Sequence, residues 1–337
     1  MDELNIDWEI LARLRRRFLE QSAGSGVYWQ DEQDLAHYHA FFAARIGWKW
    51  DDALRNAEQS GWSLRSRVLL DWGCGSGIAT LRLLERYGAE AVDKVLLYDH
   101  SLLACRFAQK TISDAYPDLA VEIAPNPSQI EQLGETTVLL SHALNELTTE
   151  TRTVLASQLK GAAQVFCVEA GDHATSRLLI SLRESLRSTH AIAAPCLRCD
   201  ACPMLQEENA RHWCHFFGKP PLEAFTEGAW ARFATLMEVD LRSLPYSFLV
   251  LDRSSLAPAD ASRSTLPDHA SRLIGRPRQF KGYTRALSCD ASGLRDLELQ
   301  KRDDKALWKS LKKGKDGTLY RWVEIEAGRI KSGSPLD

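Results

Sequence analysis

The chain has 337 residues, 45% of them hydrophobic and 26% charged, with a formal net charge of −3. Such a composition supports a packed core and excludes a largely disordered chain; the length allows one large domain with additions, or two domains. No run approaches the roughly 20 apolar residues of a membrane-spanning helix, so no membrane partner is expected. A net negative charge argues against nucleic acid only until its distribution is read. Arg272 to Arg321 holds 14 Lys or Arg against 6 Asp or Glu, a local +8 that leaves −11 for the rest.

In chain order, the segment from Met1 to Gln21 is acidic before it is basic and has no long apolar centre. It reads as neither a secretion signal nor a transit peptide, and a cytoplasmic protein is expected. Trp8, Ile10, Leu11, Leu14 and Phe18 share one side of an amphipathic helix. Residues 1–64 are predicted to form an N-terminal helical region with turns near Ser22–Gly26 and Ser60–Gly61. From Arg67 onward, short apolar runs alternate with helical patterns. VLLDWGCGSG, KVLLYD, LAVEIAP, TVLLSHAL and QVFCVEAG read as buried strands, while IATLRLLERYG, LLACRFAQKTISDA and TSRLLISLRESLRS read as helices. This alternation predicts an α/β fold, a mainly parallel sheet covered on both faces, over residues 65–255. A cysteine-bearing insertion falls at 190–222. A helix around Glu227 to Glu238 and a late strand at 246–253 follow it. Residues 254–270, rich in Ser, Ala, Pro and Asp, read as a linker, and 256–337 as linker plus a small basic C-terminal β module.

The first strand breaks into Asp71-Trp72-Gly73-Cys74-Gly75-Ser76-Gly77 before a helix, a D-x-G-x-G-x-G loop. Glycines permit the tight turn and let a ligand reach the backbone, and the helix N-terminus offers unpaired N–H groups. Dinucleotide enzymes favour G-x-G-x-x-G. Alternate glycines behind an acidic residue instead resemble motif I of class I methyltransferases, whose loop cradles the methionine part of S-adenosylmethionine. Asp99, 22 residues past Gly77 at the end of the second strand, is placed to accept hydrogen bonds from both ribose hydroxyls. Asn126, after the third strand, and Ser141, after the fourth, are further cofactor candidates. Asn145 and Glu146 are candidates for catalysis or for capping the next helix, and His142 reads as structural.

Four of the eight cysteines crowd into Cys196, Cys199, Cys202 and Cys214. In a reducing compartment such density reads as metal ligation rather than as disulfides. Four thiolates suit a 4Fe-4S cluster or zinc. Cys-x2-Cys-x2-Cys before Pro203 is ferredoxin-like, except that the fourth Cys comes twelve residues on. His212 and His215 are available to complete a zinc site. Cys105, Cys167 and Cys289 read as small core residues.

Taken together, LDWGCGSG, SHALNEL, VEAGDHATSRLL, APC-x2-C-x2-CP, WCHF and YSFLVLDR resemble, in that order, the methyltransferase-like family of mitochondrial small-ribosomal-subunit assembly factors and its bacterial relatives. The resemblance runs from about Asp71 to the C-terminus, and RLIGRPRQFKGYTRALSC with QKRDD is similar to that family's C-terminal module. It implies a protein that binds small-subunit rRNA and ribosomal proteins, with an iron–sulfur cluster on Cys196, Cys199, Cys202 and Cys214. Two departures stand out. Leu197-Arg198-Cys199-Asp200-Ala201 replaces a Pro-His-containing spacer, and Glu169-Ala170-Gly171 replaces Glu-Pro-Gly.

The basic C-terminal run supplies candidate RNA contacts in Arg276, Arg278, Lys281, Arg285, Lys309, Lys312, Lys313 and Lys315. Phe280, Tyr283, Trp308 and Tyr320 are interleaved with them. The expected function is an S-adenosylmethionine-dependent methyltransferase of small-subunit rRNA, monomeric off the ribosome. The alternative is a non-catalytic assembly factor that uses the same fold as a scaffold. No N-P-P-Y-like base clamp follows the fourth strand, which moves some weight to the scaffold.

Overall fold

A computed structural model describes residues 5–20, 29–126, 133–253, 266–267, 269–314 and 317–336. The turn at Ser22–Gly26, most of the linker and Lys315 lie outside the described residues. Two compact units share the chain. The first comprises Met1–Leu54, Leu64–Glu169 and Gly218–Leu244; the second comprises Arg55–Ser63, Ala170–Phe217 and Pro245–Asp337.

In the first unit, strands β1 (Val68–Trp72), β2 (Lys94–Tyr98), β3 (Ala120–Ile123), β4 (Thr136–Ser141) and β5 (Gln164–Ala170) lie in the order β3-β2-β1-β4-β5. All their pairings are parallel. Helices α4 (Ile78–Tyr87), α5 (Leu102–Ala115) and α6 (Thr149–Leu159) connect them. The strand order reverses between β1 and β4, which opens a crevice beyond the carboxyl ends of those strands. This is the expected Rossmann-like sheet.

The N-terminal extension is helical, as its apolar stripe predicts. It comprises α1 (Trp8–Glu20), α2 (Glu32–Tyr38), a π turn (His39–Ala43) and α3 (Ala44–Gln59). Asp31 caps α2 by accepting from the Asp34 N–H at 2.9 Å. Leu11, Phe41 and Trp48 bury themselves against Trp230 and Phe233 of α9 (Gly228–Leu236), which follows the short α8 (Glu223–Thr226). Phe41 stacks on Phe233 with centroids 5.0 Å apart, and Trp48 meets Trp230 at 4.7 Å. Each such pair adds about 0.5–1.5 kcal/mol beyond the area it buries.

In the second unit, β6 (His190–Ala194) runs antiparallel to β8 (Leu244–Arg253), the late strand the sequence predicts. The cysteine insertion between α7 (His173–Leu186) and β7 (Phe216–Gly218) has, beyond β6, only two short 3-10 turns. Side chains from α7 hold it instead: Arg177 Nη2 donates to the carbonyls of Asn209 (3.0 Å) and His212 (2.8 Å). Arg183 Nη2 donates to those of Arg198 (3.1 Å) and Asp200 (2.8 Å).

The C-terminal module is a closed five-stranded barrel of β9 (Ala270–Phe280), β10 (Tyr283–Asp290), β11 (Gly293–Gln300), β12 (Leu319–Glu326) and β13 (Arg329–Pro335). Helix α10 (Lys305–Lys313) lies between β11 and β12. The barrel order is β10-β11-β13-β12-β9, with β11 and β13 parallel. That is the OB-fold topology. Its core gathers Leu273, Ala286, Leu297, Leu299, Tyr320, Trp322 and Ile330, and Leu307 and Leu311 of α10 join it. Buried Arg272 of β9 donates to the Pro195 carbonyl (3.2 Å), Asn56 Oδ1 (3.0 Å), Thr318 Oγ1 (2.7 Å) and Ser60 Oγ (2.7 Å). Burial lowers its pKa to about 10. No described helix is long and apolar enough to cross a membrane.

Candidate functional site

A cavity of about 400 Å³ opens in the first unit at the carboxyl ends of β1, β2 and β4. Its floor is the glycine loop, where Gly73, Gly75 and Gly77 all have positive φ (74°, 51° and 79°). A Cβ on Gly75 would meet nothing within 4 Å, so the loop presents bare backbone to open space. At Gly77 the requirement is packing: a Cβ there would press on Ala108 and Ile112 of α5 at 3.1 Å.

Asp99 closes one side. Its carboxylate accepts from the Gly75 N–H (3.0 Å) and the Ser101 N–H (2.8 Å) and faces the cavity. Asp71 sits beneath, fully buried, where Oδ2 accepts from Thr80 Oγ1 at 2.7 Å. Burial, above all, pushes its pKa up to about 7. Asp71 Oδ1 and Ser76 Oγ, both buried, have no hydrogen-bond partner in the structure. An open glycine cradle, the orphaned Ser76 hydroxyl and a cavity-facing carboxylate fit a polar ligand that carries positive charge and hydroxyls.

The opposite wall is the segment after β4. Ser141 Oγ accepts from Trp50 Nε1 at 2.9 Å. His142 adopts a φ of +54°, a backbone state that costs a non-glycine residue about 1–3 kcal/mol and gathers at functional sites. Its Nε2 lies 3.3 Å from Lys49 Nζ. Burial, then Lys49 and Arg45, hold its pKa well below the ordinary histidine value, so the ring is neutral. Glu169 at the end of β5 fixes this segment. Its Oε1 accepts from the N–H groups of Ala143 (3.0 Å) and Leu144 (2.9 Å), and burial pushes its pKa up to about 7. Phe18, Trp29 and Tyr38 of the N-terminal extension complete the lining.

Of the residues expected from sequence, Gly73, Gly75, Asp99, Ser141 and Glu146 line this cavity. Asp71 and Gly77 support it from below. Asn126 is exposed after β3 and Asn145 is exposed after β4; neither lines it. Sequence reasoning missed Lys49 and Glu169 and read His142 as merely structural. The only available signals were Lys49 set between two tryptophans and Glu169 at the end of a strand pattern.

The thiols of the second unit form another grouping. Burial pushes the Cys202 thiol up to about 11, with the Cys196 charge next. Burial, then Cys196, Cys202 and Cys289, raise Cys214 well above the usual thiol range. Cys289 of β10, read from sequence as a core residue, is instead raised by burial and then by Cys196 and Cys202. Cys199 is not a main contributor to any of these shifts. Burial opposes the charge of Arg183, yet Cys196, which hydrogen-bonds to it, and Cys202 raise its pKa overall. The donor chemistry suits a soft metal centre, but the distances do not close: among the described residues no three His, Cys, Asp or Glu side chains stand close enough together to hold a metal ion.

The basic candidates of the barrel divide. Arg278 pairs with both carboxylate oxygens of Asp296 at 2.5 Å. Arg285 lies 3.6 Å from Asp296 and 3.9 Å from Glu298. Arg276 covers the Phe217 ring at 3.9 Å, and Lys281 is exposed at the β9–β10 turn. Lys309, Lys312 and Lys313 are exposed on α10.

A family model described as mitochondrial small ribosomal subunit Rsm22 matches residues 39–321. Comparison with curated protein sequences gives no significant match. Among solved structures, the chain is similar to an RNA methyltransferase candidate from Pyrococcus horikoshii, at 10% identity and a TM-score of 0.37, covering 71% of this chain and 97% of that one. It is also similar to magnesium protoporphyrin IX methyltransferase from Synechocystis with bound SAM, at 13% identity and a TM-score of 0.36, covering 75% and 100%.

Proposed function

The chain belongs to the Rsm22 family of the mitochondrial small ribosomal subunit, and from that premise we propose that it binds S-adenosylmethionine and methylates rRNA of the small subunit. The observation that carries this reading is the cavity itself, with its open glycine cradle, its orphaned Ser76 hydroxyl and Asp99. Bound there, S-adenosylmethionine supplies a methyl group on a sulfonium, whose transfer needs positioning more than a strong base. Asp99 accepts the ribose hydroxyls, and the Gly73–Gly75 backbone holds the amino-acid end. Glu146 and neutral His142 face the acceptor side, and no strong base is required there. Phe18, Trp29 and Tyr38 exclude water from the same space.

The partner is small-subunit rRNA with its ribosomal proteins, met by a chain that is monomeric off the ribosome. The location follows the ribosome it serves. The family is described as mitochondrial, against the cytoplasmic expectation from the N-terminal sequence.

The thiols Cys196, Cys202 and Cys214, with Cys289 in place of Cys199, are proposed to hold a metal centre, 4Fe-4S rather than zinc, that pins the insertion. Burial and the neighbouring thiols raise Cys202, Cys214 and Cys289, which supports a shared thiol environment.

The test is transfer of labelled methyl from S-adenosylmethionine to small subunits isolated from cells lacking the protein. Label in rRNA that disappears with Asp71→Ala supports the enzyme. Tight subunit binding without label overturns it in favour of the assembly scaffold.

A further inference from the structure

OB-folds commonly hold nucleic acid on the face of their second and third strands. Here that face is electrostatically spent: Asp296 and Glu298 of β11 neutralise Arg278 and Arg285. Arg295 is likewise paired with Asp290. Besides exposed Lys281 at the β9–β10 turn and Arg321 of β12, the uncompensated charge of the barrel is concentrated elsewhere. Lys301 and Arg302 precede α10, and Lys305, Lys309, Lys312 and Lys313 lie on it, all exposed. Among the described residues none of these six lies within ion-pair distance of a carboxylate, although the charge of Arg302 reaches Asp303. The two nearest acids are committed: Asp303 to Arg329 and Lys331, and Asp304 to the helix N-cap through the Leu307 N–H at 2.9 Å.

Helix stability explains only part of this pattern: Lys312 and Lys313 suit the last turn, but Lys305 sits in the first turn, against the positive end of the helix dipole. Lys305 and Lys309, then Lys309 and Lys312, are like charges at i,i+4 and i,i+3, spacings that weaken a helix. Trp308 lies on the same stretch, half-buried, with Lys301 Nζ and Lys312 Nζ 5.5 and 5.3 Å from its ring centroid. A basic amphipathic helix can also lie on lipid, but that needs an exposed apolar face. The apolar side of α10, Leu307 and Leu311, is already buried in the barrel core.

We propose that the exposed face of α10, with Lys301 and Arg302, docks an unpaired segment of small-subunit rRNA, with Lys and Arg on its phosphates and Trp308 beneath a base. The proposal rests on the family reading for the identity of the RNA and replaces the strand face with the helix face as the contact. A polyanion relieves the repulsion between the lysines, and an unpaired base offers a π-face that a duplex does not.

The experiment measures binding of the full chain to a fluorescent single-stranded fragment of small-subunit rRNA by anisotropy across a salt series. In Lys305→Gln/Lys309→Gln/Lys312→Gln, the slope of log affinity against log salt should fall by about 2, since each neutralised phosphate on a single strand contributes about 0.7. Trp308→Ala should lose roughly tenfold in affinity with the slope unchanged. Arg278→Gln/Arg285→Gln should change neither. The altered lysines and arginines are exposed or half-exposed, whereas Trp308 also packs against the barrel core, so thermal melting of each variant separates lost RNA contact from lost packing. A wild-type slope in the triple lysine variant, or a loss concentrated in the double arginine variant, overturns the helix face. Binding to anionic phosphatidylserine vesicles in preference to RNA overturns it as well. Wild-type protein that binds neither the fragment nor small subunits overturns the family reading along with it.

Discussion

The glycine-loop cavity and the thiol grouping are built by opposite means. The cavity's floor is one continuous segment, Asp71 to Gly77, and Asp99 joins it because adjacent parallel strands end side by side. The thiols come from Cys196, Cys202, Cys214 and Cys289, and the last lies in a different element, β10 of the barrel. A site made from one turn survives as a pattern in the chain. A site made from distant loops exists only once those loops are held, here by arginines whose partners are backbone carbonyls and, for Arg272, mostly buried side-chain oxygens. The first kind is robust to changes elsewhere, whereas the second depends on its supports.

The largest test of that contrast is Arg272→Met. It leaves Asn56, Ser60, Thr318 and the Pro195 carbonyl without their buried donor, and should cost on the order of 3–5 kcal/mol in denaturant unfolding. If the comparison holds, S-adenosylmethionine binding at low temperature should remain near wild type. Asp99→Ala should do the reverse. It removes the acceptor for two ribose hydroxyls and weakens S-adenosylmethionine binding about a hundredfold by calorimetry, at roughly 1.5 kcal/mol per charged hydrogen bond.

Burial raises Asp71 and Glu169 to about 7, so the folded chain binds more protons than the unfolded one between about pH 4 and 7. Their contribution to stability is full below the unfolded carboxylate pKa and is lost as pH rises through 7. Asp71→Asn/Glu169→Gln should therefore flatten the decline of stability over that window by a few kcal/mol, read from urea unfolding at several pH values. An unchanged pH profile would mean that both carboxylates are ionised in the folded chain.

Metal content sharpens the second region. Cys289→Ala should lower iron and acid-labile sulfide in anaerobically purified protein severalfold, whereas Cys199→Ala should leave both near wild type. The opposite ranking would restore the ligand set read from the sequence. The smallest effect is expected at Arg278→Gln, an exposed pair whose loss should shift stability by less than about 1 kcal/mol.

Much of this was legible beforehand because it is local. The period of the strands, the glycine spacing, Asp99 at a strand end and the apolar stripe of α1 each follow from neighbours in the chain and the backbone geometry they permit. Tertiary structure alone decided the rest. It gave His142 a left-handed backbone beside Lys49, and turned Glu169 toward the N–H groups of Ala143 and Leu144. It brought Cys289 to the thiols, closed the C-terminal strands into an OB barrel, and sorted its cations into paired and unpaired faces. Burial and charge pairing depend on which distant segments share a space, and one-dimensional spacing carries no record of that.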